Sequence, residues 1–216
     1  MSLNRTLLIV VLILFVDQAS KIYIKTHMEL HENIKVLSWF NIVFVENEGM
    51  AWGTKLSDIF SFITEKTAKL VLTVFRIVAV TAIGFWLVDV VKNKRTKTMT
   101  FAVALIFAGA LGNIIDSMFY GLLFSHSYGQ VAEVLPAGGG YAPLFYGKVV
   151  DMLHFPIWRG TLPEWLPFFG EKEFSFFDPV FNVADVAIST GIGMLIVFNK
   201  KAFAKSAATT KNDRFD

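Results

Sequence analysis

The run FNVADVAISTGIGMLIVF, residues 181–198, is apolar enough to enter a bilayer, yet it carries Asn182 and Asp185 at its start. Three residues apart, both side chains lean to one face of a helix. Two readings are open at this point. In one, Asn182 caps the helix and Asp185 complements its dipole from the first turn. In the other, an amide and a carboxylate at the mouth of a membrane helix mark a functional site, because placing them there is costly. The chain makes the same move upstream. A second apolar run ends in Gly112-Asn113-Ile114-Ile115-Asp116, and Asn113 and Asp116 repeat the spacing.

Composition sets the class. Of 216 residues, 54% are hydrophobic and only 18% charged, against roughly 25% in a soluble domain. Mean hydropathy is +0.53. A net charge of +2 gives no reason to expect a nucleic-acid partner, and the absence of Cys removes disulfides, a thiol nucleophile and Cys-ligated metal. About 20 mostly apolar residues span a bilayer, and four stretches qualify: 6–25, 68–91, 99–119 and 181–198. We therefore expect an integral membrane protein, mainly α, with four transmembrane helices. Residues 1–199 form one domain, and the Lys/Thr/Ala-rich stretch 200–216 reads as a disordered tail. Arg5 before 7–16 imitates a secretory signal, but the run continues through Asp17-Gln18-Ala19-Ser20-Lys21 without a small-residue cleavage site, so it reads as an uncleaved helix.

Lys and Arg near the helix ends set orientation. Arg5, the cluster Lys92, Lys94, Arg95 and Lys97, and the tail lysines all fall on one side of a four-span chain, which puts both termini in the cytoplasm. The loops 27–67 and 120–180 then face outward and carry most of the acids. In the first, NIKVLSWFNIVF (33–44) is rich in β-branched and aromatic residues and suggests short strands at the membrane surface. The long second loop holds Val149-Val150-Asp151, strand-like, then aromatic clusters between Trp158 and Phe177 that suit an interfacial collar around a lateral entrance.

Asp17 and Lys21 lie one helical turn apart and are expected to pair, with contact to a substrate headgroup as the alternative. Several acids near one surface, with Asn donors alongside, suit a carboxylate dyad sharing one proton. The ionised member takes a proton from an attacking water, and the other donates to the developing oxyanion. Spacing alone also admits a proton- or ion-coupled transporter using Asp17, Asp116 and Asp185. Four helices without inverted repeats are poor material for alternating access. Ser189 has no His in any expected span to activate it, and helix packing through small residues accounts better for Ser189 and Gly193. Of the four His, His154, three residues after Asp151, stands nearest the candidate chemistry. Arg76, inside the second span, either snorkels, pairs with an acid or contacts lipid.

These pieces together resemble the lipoprotein signal peptidases (signal peptidase II), four-helix aspartic proteases of the bacterial inner membrane. The matching segments are Asp17-Gln18-x-x-Lys21, Asn47-x-Gly49-x-Ala51-Trp52-Gly53, Gly112-Asn113-x-x-Asp116, Val149-Val150-Asp151 and Phe181-Asn182-x-Ala184-Asp185, in family order and in family position relative to the spans. The resemblance implies a diacylglyceryl-modified prolipoprotein substrate, cut just before the lipidated Cys. It implies Asp151 and Asp185 as the catalytic dyad. Asn113, Asp116 and Asn182, joined by Asp17, Lys21, Asn47 and Gly49, would orient the dyad and bind substrate. It further implies a small β-structure in the first loop, no metal or cofactor, contact with membrane lipid, and inhibition by globomycin. We expect a monomer. Two features depart from the family. Ser117 stands where an Arg usually follows the third-helix Asp, so a contact is lost or comes from elsewhere, with Arg159 and Lys148 as candidates. Asp151 lies 35 positions after Asp116 and 34 before Asp185, longer intervals than the common pattern.

Overall fold

Apolar runs become helices and alternating runs become strands, in a computed structural model that describes residues 1–48, 64–156, 158–161, 173–176 and 179–204. Helix α1 (Leu3–His27) is followed by strands β1 (Asn33–Leu37) and β2 (Phe40–Asn47). Next come α2 (Glu65–Lys92), N-capped by Thr64, and α3 (Lys97–Ile115), N-capped by Thr96. The chain then widens into a π-helical turn, Asp116–Tyr120, and tightens into the single turn α4 (Gly121–Leu123). Strands β3 (Val149–His154), β4 (Trp158–Thr161), β5 (Glu173–Phe176) and β6 (Val180–Phe181) lead into α5 (Val183–Val197) and α6 (Asn199–Ala202).

Three helical stretches, Leu3–His27, Glu65–Lys92 and Lys97–Leu123, are long and apolar enough to cross a membrane. The fourth expected span is shorter. Helix α5 has 15 residues, because Phe181 is paired in β6 and Asn182 is the N-cap. The outward face of the bundle is apolar, with Phe15 69% and Phe85 74% exposed, as hydrocarbon requires of a helical surface. Inside, Val10 of α1, Leu87 and Val90 of α2, and Val103 and Ala104 of α3 form one core with Ala202. Helical structure is described as far as Ala202. Residues 205–216 of the expected tail lie outside the described residues.

Small residues do bring α3 and α5 together, but not those expected. A Cβ on Gly109 would overlap the Ala184 carbonyl, and one on Gly191 the Ala102 carbonyl, so backbones touch at both ends of the pair. Gly193 faces open space and Ser189 is exposed. Their packing role is therefore set aside: both lie on the face of α5 turned away from α3.

Strands β1-β2-β3-β6 form an antiparallel sheet, and β4-β5 a separate hairpin. The sheet packs on one end of the bundle through a second core of Ile24, Phe44, Tyr120, Phe124, Val150 and Met152. The described part of the first loop forms a strand pair, as its pattern predicted. Phe155 stacks on Phe40 at 4.8 Å and on Phe181 at 5.6 Å, tying the far end of the sheet. The side chains of the collar expected between Trp158 and Phe177 lie outside the described residues.

The long interval after Asp116 is ordered by the π-helical turn. Gly147 donates its N–H to the Ser117 carbonyl at 2.9 Å, Phe145 to Met118 at 3.1 Å and Ala142 to Gly121 at 3.0 Å. The loop thus doubles back along a helix end whose carbonyls lack partners of their own. Only glycine fits at 147, where a Cβ would overlap the Asp116 carbonyl oxygen. The turn delivers Lys148 and the strand β3 directly beside Asp116.

Candidate active site

Asp151 reaches the site from the sheet. Val45 of β2 stands opposite Asp151 of β3, and Asn47 opposite Val149. Asn47 is therefore a diagonal neighbour on the same face, within side-chain reach. Its Nδ2 donates to Asp151 Oδ2 at 3.0 Å. Asp185 reaches the site from the bundle, in the first turn of α5. There Asn182 and Asp185 close a capping box: Asp185 N–H donates to Asn182 Oδ1 at 3.0 Å, and Asn182 N–H to Asp185 Oδ2 at 3.2 Å. The Asn182 amide is left to donate at 2.7 Å to Asp151 Oδ1. One residue, Asn182, thus grips both carboxylates. The capping reading of 181–198 is met, and the same residue joins the two carboxylates.

Behind this pair lies a buried ionic brace. Asn113 Nδ2 donates to Asp185 Oδ1 at 2.9 Å, while its Oδ1 accepts from Lys21 Nζ at 2.9 Å and Asn182 Nδ2 at 3.2 Å. Lys21, fully buried, bridges Asp17 at 2.9 Å and Asp116 at 2.8 Å. Asp17 Oδ1 accepts the Ala184 N–H at 2.8 Å, so α1 caps α5 with an anion where the helix dipole favours one. Asp116 also accepts from the Val150 N–H at 3.4 Å, which ties the brace to β3. Asp116 is thus turned to a cation, away from the Asp151–Asp185 pair.

Burial, and after it the Asp185 carboxylate, push the Asp151 carboxyl up to about 7, against hydrogen bonds from Asn47 and Asn182. Asp151 is 3% exposed. Two carboxyl groups held by common amides, one carrying a proton near neutral pH, can move a proton to and from a reacting water. Among the described residues, no group of three or more His, Cys, Asp or Glu is disposed to hold a metal ion.

The geometry agrees with what the whole chain resembles. A family model described as signal peptidase (SPase) II matches residues 9–200. The lipoprotein signal peptidase of Porphyromonas gingivalis is 49% identical over 191 residues, covering 88% of this chain and 80% of that one. That of Amoebophilus asiaticus is 36% identical, covering 90% and 76%. The chain belongs to the signal peptidase II family. A solved bacterial membrane enzyme, 25% identical, superposes with a TM-score of 0.57 over 92% of this chain and 94% of its own. A second, at 24% identity and TM-score 0.58, shares the fold.

Of the residues singled out in this peptidase from sequence, Asp17, Lys21, Asn47, Asn113, Asp116, Asp151, Asn182 and Asp185 meet in one hydrogen-bonded network. Gly49 lies outside the described residues. The Asp17–Lys21 pair forms as expected, but it also extends to Asp116 and Asn113. Gln18, part of the Asp17-Gln18-x-x-Lys21 segment, joins the network without a role legible in the sequence. Its amide reaches Asp116 Oδ1 at 2.9 Å and Asp17 Oδ2 at 3.0 Å, and its carbonyl accepts from Tyr120 at 3.2 Å. A polar side chain in an otherwise apolar run beside Asp17 was the available signal. Lys148, a candidate to replace the missing Arg, instead pairs with Glu46 at 3.4 Å. Arg159 has no described side chain. Glu46 also bridges Lys25 at 2.5 Å; burial would raise the Glu46 carboxyl, but Lys25 and Lys148 outweigh it and hold it below the usual range. His154, at the end of β3, is buried, its Nδ1 3.4 Å from Asn41 Nδ2. The serine alternative gains nothing from the structure: α1 does reach His27, but that ring is stacked on Tyr23, 4.3 Å away.

Proposed function

We propose that this chain is an intramembrane aspartic endopeptidase that removes signal peptides from diacylglyceryl-modified prolipoproteins, cutting just before the lipidated Cys, with Asp151 and Asp185 as its dyad. The observation that carries the assignment is Asn182, which binds Asp151 through its side chain and Asp185 through its backbone. Asp151 holds the shared proton, in keeping with its carboxyl raised to about 7. Asp185, ionised, takes a proton from water as the water oxygen attacks the scissile carbonyl carbon. Asp151 gives its proton to the carbonyl oxygen as the tetrahedral intermediate forms. When that intermediate collapses, the C–N bond breaks, the proton on Asp185 passes to the leaving amine, and one hydroxyl of the intermediate returns its proton to Asp151 as the new C=O forms, which restores the singly protonated pair. Asn47, Asn113 and Asn182 orient the carboxyl groups, while Asp17, Lys21, Asp116 and Gln18 brace them. Gly49 contacts the substrate backbone, as the family resemblance implies. The reaction uses no cofactor.

The same reading places four spans in the bacterial inner membrane, with α5 as the short fourth. Both termini are cytoplasmic and the dyad lies near the outer face, on the argument from Lys and Arg. Residues 1–199 act as one catalytic domain, as a monomer that admits the acylated substrate from the lipid, and globomycin blocks it. The transporter alternative has no support from the relatives.

Cleavage of a diacylglyceryl-modified peptide by wild type, Asp151→Asn, Asp185→Asn and Asp116→Asn, at matched folded yield, tests the assignment. Loss in the first two variants, with activity kept in the third, is expected. Normal cleavage by Asp151→Asn together with an inert Asp116→Asn would transfer the role to Asp116. An inert wild type would remove the peptidase reading itself.

A further inference from the structure

Arg76 lies mid-way along α2, half-buried, in a helix whose neighbouring buried positions are Thr73 and Val80. A guanidinium in a spanning helix is costly and is kept where it meets partners inside the bundle. Its Nη1 donates to Ser117 Oγ at 3.3 Å, and that hydroxyl donates to the Asn113 carbonyl at 3.0 Å. Ser117, 1% exposed, is the residue after Asp116 on the π-helical turn. Asn113 in turn donates its side-chain Nδ2 to Asp185 Oδ1 at 2.9 Å, so Arg76 reaches the proposed dyad through Ser117 and Asn113.

The charges around the proposed dyad come from every packed element. Helix α1 brings Asp17 and Lys21, the π-helical turn Asp116, and α2 both Arg76 and, two turns earlier, Lys69, whose Nζ donates to the Glu48 carbonyl at 2.7 Å. On the sheet, Glu46 and Lys148 face each other and Lys25. Lys21 divides its ammonium among Asp17, Asp116 and Asn113. Lys21 acts on Asp151 as well, but its close contacts are its own two acids and Asn113, which leaves a place for a second cation from another direction. The small Ser117 leaves room for one to enter from α2.

We propose that Arg76 is that cation: a positioning residue that holds the Asp151–Asp185 pair singly ionised, taking from α2 the place that a side chain at 117 would otherwise fill. The proposal rests on the reading of these two carboxyl groups as the dyad. Removing a cation makes a neighbouring carboxylate harder to ionise, so activity should begin at higher pH.

The test is the pH profile of cleavage of a diacylglyceryl-modified peptide by full-length Arg76→Gln, Arg76→Lys and the double variant Arg76→Gln/Ser117→Arg. In Arg76→Gln the acid limb should move up by about one pH unit, with about a ten-fold lower rate below it. Arg76→Lys should keep the wild-type limb, and the double variant should restore it. A folded Arg76→Gln with an unmoved limb overturns the proposal, whatever its rate, because a packing role alone would leave the limb in place. If Arg76→Gln does not fold, the double variant decides: a wild-type limb supports the proposal, and a folded but inert protein overturns it. Asp151→Asn and Asp185→Asn are assayed alongside. Normal cleavage by either removes the dyad itself, whereas two inert variants beside an unmoved Arg76→Gln limb remove only the role of Arg76.

Discussion

Asn113/Asp116 and Asn182/Asp185 have the same composition and spacing but different fates. The second pair opens a helix. At an N-terminus the backbone N–H groups point outward unpaired, so Asn182 and Asp185 satisfy them and each other, with atoms left over to hold Asp151. The first pair closes a helix, where no N–H groups are free. Asn113 turns its amide across to Asp185, and Asp116, on a π-helical turn, is drawn to Lys21 and Gln18. Placement on the helix, more than the motif itself, separates the carboxylate proposed for the chemistry from the one bound into the ionic brace.

The sharpest way to break this contrast is to neutralise each acid. Asp185→Asn and Asp151→Asn should each lower peptide cleavage about a thousand-fold or more, as loss of a proton-transferring group does. Asp116→Asn should instead keep cleavage within about ten-fold of wild type. It should unfold earlier on heating in detergent, by about 2 kcal/mol or more, because Lys21 keeps Asp17 but loses its other anion. Equal loss of activity in all three would erase the distinction. Asn182→Ala should cost about 1 kcal/mol as a lost cap and lower the rate by about a hundred-fold as Asp151 loses its donor, measured by thermal unfolding and kinetics on one preparation. Asn113→Ala, which removes no cap, should cost rate with less change in unfolding.

The smallest effects concern pH. With the Asp151 carboxyl raised to about 7, its proton is present below that pH and lost above it, so cleavage should fall as pH rises through about 7. The same carboxyl is raised from 3.8, so the folded chain holds a proton that the unfolded chain has released. Its contribution to stability is full below about 4 and disappears as pH rises through about 7. Asp151→Asn should lack that decline, and unfolding midpoints at pH values on either side of 7 would show it.

How much of this was legible depended on the range of the interactions. The Asp17–Lys21 pair and the Asn182–Asp185 box are local, and helical spacing displays them directly. Asp151 was legible as strand-like, but Asn47 as its partner depends on a β2–β3 register that shifts between Ile42 and Val45. No local pattern contains that shift. Lys21 on Asp116 and Arg76 on Ser117 join helices far apart in sequence, and a single chain carries no sign of which faces meet. The fourth helix was read too long because hydropathy does not distinguish Phe181 in a strand from Phe181 in a helix. The assignment of Gly193 to packing failed for a related reason: composition names small residues without saying which side of α5 they occupy.

The short strand β6 runs without a linker into α5, so the proposed pair has one carboxyl on the sheet and one on the bundle. On the proposed assignment, a chain whose helices have formed before these strands pair holds half of a hydrolytic centre, and its proteolytic activity waits on the docking of sheet and bundle.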